Sequence, residues 1–408
     1  MIALVVTLLV GSGVVLAAGT AAASGEDDKT TTSAAADRAD GNGDGRAGDG
    51  RNARDRNSRD ERGGDGGDGN GRGNRNRKTD NGRGNDDNNK DDKNRDDGKN
   101  KNNNDDEFPG RDQAAPPSDD DFVDIQDVRP DNDRLRNNGR SGNRASTGSF
   151  VARCGTNANN HRNSDNFMVT PGKRNGAQHV HDYVGNLSTD AFSDDDSLHA
   201  AGTTCDRDNK STFFWPVLRD TRQQGDDADS DGGGRDGNLG KILRPRTVDL
   251  RFLGNGADKV VPMPDDLTII MGDAKAKTNG SKNANAQWTC TGFENRTTDK
   301  YPLCPAGSRL VRILEFPSCW DGENLDSKDH RSHVVYPDDN GRCDGDFEAI
   351  PRLRVTLTFD RPSGRDFALD TFPDQQHDPR TDHSDFMNIA SDAVLKLAAD
   401  CINSGRQC

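Results

Sequence analysis

Hydrophobic positions are distributed along this chain in three ways. Residues Ile2 to Ala18 form one apolar run that gives way to the small residues Ala21, Ala22 and Ala23. From Ser24 to about Ser146 apolar residues nearly vanish, and Asp, Asn, Arg, Gly and Lys fill the chain. Beyond Phe150 they return in short runs. Val248–Leu253, Leu267–Met271, Leu310–Phe316, His333–Tyr336 and Leu353–Phe359 each have the length and composition of a strand. In the last, Leu353, Val355, Leu357 and Phe359 share one face, and Arg354, Thr356 and Thr358 the other. Near the end, Phe386, Ile389, Ala390, Val394, Leu397 and Ala398 recur at helical spacing, with Ser384 and Asp385 placed as caps. The pattern predicts a mainly β fold, a β-sandwich or jelly-roll-like core with a C-terminal helix, preceded by a long disordered segment. The acidic, glycine-rich stretch 225–240 reads as a surface loop.

These patterns divide the chain into residues 1–23, 24–146 and 147–408. The first is a signal peptide by its apolar centre and Ala-x-Ala ending, although no basic residue precedes the run. Left uncleaved, it would be an N-terminal membrane anchor. Either way the remainder is exported, so the expected location is secreted or cell-surface. Only 29% of the 408 residues are hydrophobic and 31% are charged, against roughly 45–50% apolar in an ordinary domain. The deficit lies in residues 24–146, which cannot bury enough apolar surface to offset the entropy of ordering. They read as a mixed-charge tether. Within them DGNGDGRAGDG, residues 40–50, resembles the start of a calcium loop, but position twelve is Arg51 and no apolar helix flanks it. Residues 119–133 carry a few apolar side chains that suit a short docking segment, with linker as the preferred reading. A net charge of −15 argues against nucleic acid as a partner.

All 8 cysteines lie in the C-terminal part, and no C-x-x-C occurs. An even number in an exported chain predicts disulfides. Neighbour pairing would join Cys154 to Cys205, Cys290 to Cys304, Cys319 to Cys343 and Cys401 to Cys408, one of 105 connectivities.

Candidate chemistry centres on histidine. His179 and His181 form His-x-His, and two residues apart on a strand put both imidazoles on one side. With His383 they are candidate ligands for zinc or copper; the alternative is a set of hydrogen-bonded core histidines. Asp385 beside His383 could add a ligand. His330 and His333 are three apart, so at most one would join the pair. Carboxylates accompany them at Asp182, Asp321, Asp326 and Asp329, and a glycosidase needs two carboxyls at a defined separation. Trp215, Trp288, Trp320, Tyr183 and Tyr336 suit either a sugar cleft or the core. G-x-S-x-G, the P-loop and H-E-x-x-H are all missing, which disfavours the hydrolase, triphosphatase and protease classes they mark. A copper site built on the mature amino terminus is disfavoured too, because the tether separates Ser24 from the domain.

Five segments carry a family resemblance: FVARCG from Phe150, QHVHDYVGN from Gln178, STDAFSDDDSLHAAGTTC from Ser188, FPSCWDGENLDSKDHRSHVVYP from Phe316 and HSDFMNIA from His383. Together they resemble the DUF1996 family of secreted bacterial and fungal proteins. The resemblance implies a secreted domain, sometimes found beside carbohydrate-binding modules, with no settled activity. It carries over His179, His181, Asp182, Asn186, Trp320, Asp321, Asn324, Asp326, His330, His333, His383, Asp385 and Asn388 as motif positions. The expectation is an extracellular domain that interacts with polysaccharide or cell wall and is a candidate to cleave it. Asp182, His333, Asp321 and Asp326 are its catalytic candidates, and Trp320, Asn324, Tyr183 and Asn186 its substrate contacts. The alternative is a non-catalytic metal-binding or structural envelope protein, with the membrane a partner only if the leader is uncleaved.

Overall fold

The computed structural model describes residues 115–131, 144–360 and 362–408. The leader, the calcium-loop-like stretch and most of the expected tether lie outside the described residues. What is described is mainly β, with two five-stranded antiparallel sheets as its body.

The first sheet has the strand order Gln287–Cys290, Leu310–Glu315, Arg352–Phe359, Thr247–Leu253, Ser149–Ala152. In the central strand the predicted alternation is observed: Leu353, Val355, Leu357 and Phe359 are buried and the residues between them are half-buried. The second sheet runs Arg162–Asn163, His181–Gly185, Thr212–Pro216, His383–Met387, Thr268–Gly272. Its inward side chains, among them Val184, Phe213, Trp215, Ile269, Met271 and Phe386, join those of the first sheet in one continuous core. Phe252 of the first sheet touches Phe213 and Phe386 of the second, ring to ring at 6.5 and 5.9 Å. Each such side chain removed from water stabilises the sandwich by about 1.5–3 kcal/mol.

Two arginines interrupt this apolar interior. Arg312 alternates with Leu310 and Leu314 and so points inward; it donates to both Asp382 oxygens at 3.1 and 2.6 Å and to the Pro216 carbonyl at 2.9 Å. Arg219 donates to Asp370 at 2.5 and 2.9 Å and to Asp227 at 2.8 and 2.7 Å. A charge buried this deeply persists only when paired and fully hydrogen-bonded. Stretch 225–240 is therefore more than a surface loop: Asp227 caps Arg219, and Asn238 is buried.

Four disulfides join Cys154 to Cys205, Cys290 to Cys304, Cys319 to Cys343 and Cys401 to Cys408, the neighbour order. No helix among the described residues is long and apolar enough to cross a membrane.

Two expectations need correction. The segment preferred as linker carries the strand Phe122–Asp124, which pairs in parallel with Tyr301–Leu303, while Phe122 and Ile125 enter the core. Folded structure therefore begins well before residue 147, because two apolar side chains and one ladder suffice to dock a short extended segment. The predicted helix starts late: residues 383–387 form an interior strand, all five buried, and the helix is Asp392–Asn403 with Ser391 at its N-cap. Strand neighbours on both sides override the helical spacing there.

Candidate metal centre

The second sheet turns one face to the core and the other toward a covering layer of loops. His181 is registered with Pro216, and Asp385 with Phe214. On strands flanking the same central strand, His181 and His383 therefore stand in one row on the outer face. Tyr183, Phe214, Asp385 and Ile270 form the next row. His179 precedes the strand, where a left-handed Gln178 at φ 52° turns the chain so that its ring folds back over His181. The ion pairs of the core hold these segments. Asp370, fixed by Arg219, accepts the Val180 amide between the first two histidines at 3.2 Å; Asp382, fixed by Arg312, immediately precedes His383. Across from His383 lies Gly272, at φ +79°, where a Cβ would approach the Asp382 carbonyl at 2.4 Å.

The three imidazoles converge. His179 Nε2 lies 3.0 Å from His181 Nε2 and 3.2 Å from His383 Nε2, and all three rings are buried. His181 Nδ1 faces the Asp165 carbonyl at 3.2 Å, and His383 Nδ1 faces that of Thr381 at 2.8 Å. A carbonyl only accepts, so each Nδ1 carries the proton and each of these Nε2 atoms presents a lone pair. His179 Nδ1 faces the backbone at Ala177 without a well-aligned hydrogen bond. Burial holds all three imidazoles below the usual histidine range; for His179 and His181 the neighbouring rings depress it further. Neutral nitrogens packed so closely repel unless a proton or a cation lies among them. Around a tetrahedral zinc with bonds of about 2.0–2.1 Å, ligand nitrogens stand about 3.3 Å apart, so the observed spacing fits such an ion.

Asp385 follows His383 by two residues on the same face and is buried. Its Oδ2 accepts from Asn166 Nδ2 at 2.8 Å, whereas no donor among the described residues reaches Oδ1. Burial pushes its carboxyl up to about 7, against the pull of Arg331 and the Asn166 hydrogen bond. Arg331 is held beside the row by Nη2 donating to the Gly272 carbonyl at 2.7 Å.

The other candidates lie elsewhere. Asp182 points to the opposite face from His181 and accepts from Asn157 at 2.7 Å and Arg162 at 2.5 Å. Asp321 accepts the Glu323 and Asn324 amides and the Asn324 side chain. Asp326 bonds His330 Nδ1 at 2.8 Å. His333 is buried between Ser327 Oγ at 2.9 Å and the Thr268 carbonyl at 2.7 Å. None of these four belongs to the three-histidine group. Among the expected substrate contacts, Trp320 Nε1 donates to the Asn324 carbonyl, Asn186 donates to the Leu198 and Lys210 carbonyls, and Tyr183 is buried with its hydroxyl on Asn163 and Asp165. A second cluster, His199 with Asp265 and Asp266, is partly exposed, and His199 is already paired with Asp266 at 2.7 Å. Sequence reading missed Arg219, Asp370, Arg312 and Asp382. The available signal was Arg312, a charge on the apolar face of LVRILEF.

Fold and site together define a disulfide-bonded β-sandwich with a buried three-histidine pocket on one sheet. The model of the family described as "Domain of unknown function (DUF1996)" matches residues 167–389, and the chain belongs to that family. The matched span contains all three histidines and Asp385. No curated protein and no solved structure matches the chain. Family membership and four disulfides are consistent with an extracellular domain.

Proposed function

We propose that this domain is an exported metal-binding protein whose centre is His179, His181 and His383, with zinc the first candidate and copper the second. The observation that carries this is the meeting of three Nε2 atoms, two of them with lone pairs exposed by backbone carbonyls behind the rings. His179, His181 and His383 would hold the ion, and a zinc bound by three protein ligands would keep a position for water or substrate and would supply Lewis acidity there. Asp385, two residues along the same strand, keeps an Oδ1 that no donor among the described residues reaches. The test is elemental analysis of the purified full chain. One equivalent of zinc or copper is expected, lost in His179→Ala and in His383→Ala. A folded wild-type chain that takes up neither metal overturns the reading.

A second reading, contact with extracellular polysaccharide, draws support from one side chain outside this pocket, Tyr336, which is half exposed on the wall of a cleft.

A further inference from the structure

Of the five aromatic residues suited to a sugar cleft, Trp215, Trp288 and Tyr183 are packed inside the fold, and Trp320 is half-buried with its indole nitrogen engaged. Tyr336 differs. The residue is 48% exposed, yet its hydroxyl is held on both sides, donating to the Glu315 carbonyl at 2.9 Å and accepting from Asn285 Nδ2 at 2.9 Å. Asn285 is itself fixed, donating to the Glu315 carbonyl and accepting from Gln287. An aromatic face held open in one orientation has already lost the freedom that a ligand would otherwise have to remove. It is a rigid apolar platform with a polar edge.

Tyr336 lines a cleft of about 870 Å³ whose floor is the outer face of the first sheet. That volume is near the top of the ordinary range for ligand sites, about 300–1,000 Å³, and suits several linked units of a chain better than one small molecule. On the floor Arg354 donates to Glu315 Oε1 from Nε at 2.8 Å and from Nη2 at 2.6 Å, and Arg352 lies 3.6 Å from the same oxygen. Four basic and five acidic side chains line the cleft, so its charge nearly cancels. A polyanion or a polycation would meet as much repulsion as attraction. A hydroxyl both donates and accepts, and the alternation of guanidinium and carboxylate matches it.

From the platform, the cancelling charge and the volume, we infer that this cleft binds a neutral polysaccharide, with a sugar face stacked on Tyr336. Ile270, registered with Asp385 on the neighbouring strand, also lines the cleft, whereas none of the three histidines does. The inference stands without the metal reading.

It is tested by affinity electrophoresis of the full chain in gels containing laminarin, soluble xylan or soluble starch, with polygalacturonate as the polyanionic comparison. At least one neutral polymer should retard the wild type. Tyr336→Ala should weaken that association by about tenfold, Asn285→Ala by less, and His179→Ala should leave it unchanged. Thermal melts establish that each variant is folded. Retardation by no neutral polymer, by polygalacturonate alone, or to the same degree in folded Tyr336→Ala overturns the inference. Loss of metal in His179→Ala with retained retardation separates the two readings.

Discussion

Two regions of this molecule are rich in histidine and aspartate, and they are built on opposite principles. In the loop from Trp320 to His333 most polar groups are answered locally. Asp321 caps the turn that follows it, Asp329 accepts from Ser327, Arg331 and Ser332, Asp326 holds His330, and His333 bridges Ser327 to the neighbouring strand. On the outer face of the second sheet, three imidazole nitrogens face one another, and no donor among the described residues reaches a buried carboxyl oxygen of Asp385. Satisfied groups at short sequence separation are what a loop needs to hold its shape. Buried groups left facing one another cost free energy, and that cost is tolerated where a ligand answers them. Histidine content alone does not separate the two regions; the destination of each hydrogen bond does.

The contrast can be broken most severely from beneath. Asp382→Ala strands Arg312 in the core, and the expected loss is about 3–5 kcal/mol in chemical denaturation, accompanied by loss of metal because the strand of His383 is no longer held. Stability of the metal-free chain against pH reads the row directly. Each histidine is held below its ordinary value of 6.5, so the unfolded chain binds more protons below about pH 6.5. Stability present above that pH is lost as pH falls, by up to about 1.4 kcal/mol per pH unit for each ring that stays neutral. Asp385 has the opposite sign. Its carboxyl is raised from 3.8 to about 7, so its contribution is full below about pH 4 and fades as pH rises through 7. Asp385→Asn should flatten that decline between about pH 4 and 7, and a decline unchanged in the variant would assign it to another group. The loop should respond least. His333→Ala leaves the Thr268 carbonyl without its partner and is expected to cost about 1–3 kcal/mol with full metal content. Asp329→Ala, at the surface, should cost at most about 1 kcal/mol. Metal lost from His333→Ala would erase the distinction between the regions.

Much of this was legible in the chain. Leu353, Val355, Leu357 and Phe359 announce their strand because period-two burial is a local property. Neighbour pairing of the cysteines is the order observed, though spacing alone left other connectivities open. Strand parity also explains Asp182: adjacent to His181, it must point to the other face, so an alternating strand there already separates the two. The predicted helix reaches back to Phe386, with Ser384 and Asp385 as caps, because the helical spacing of the later apolar residues runs on across the end of the strand His383–Met387. Phe122 and Ile125 were too few to mark a docked segment by pattern alone.

The sequence by itself determined what is local: strand periods, the His-x-His pair, an even set of cysteines and the polarity of each segment. The tertiary structure decided which distant residues meet. His383 reaches His179 across a sequence separation of 204, and only the order of strands in the second sheet brings them to 3.2 Å. Contacts at that range cost chain entropy when they close and are repaid by packing over the whole interface. No local pattern can record them.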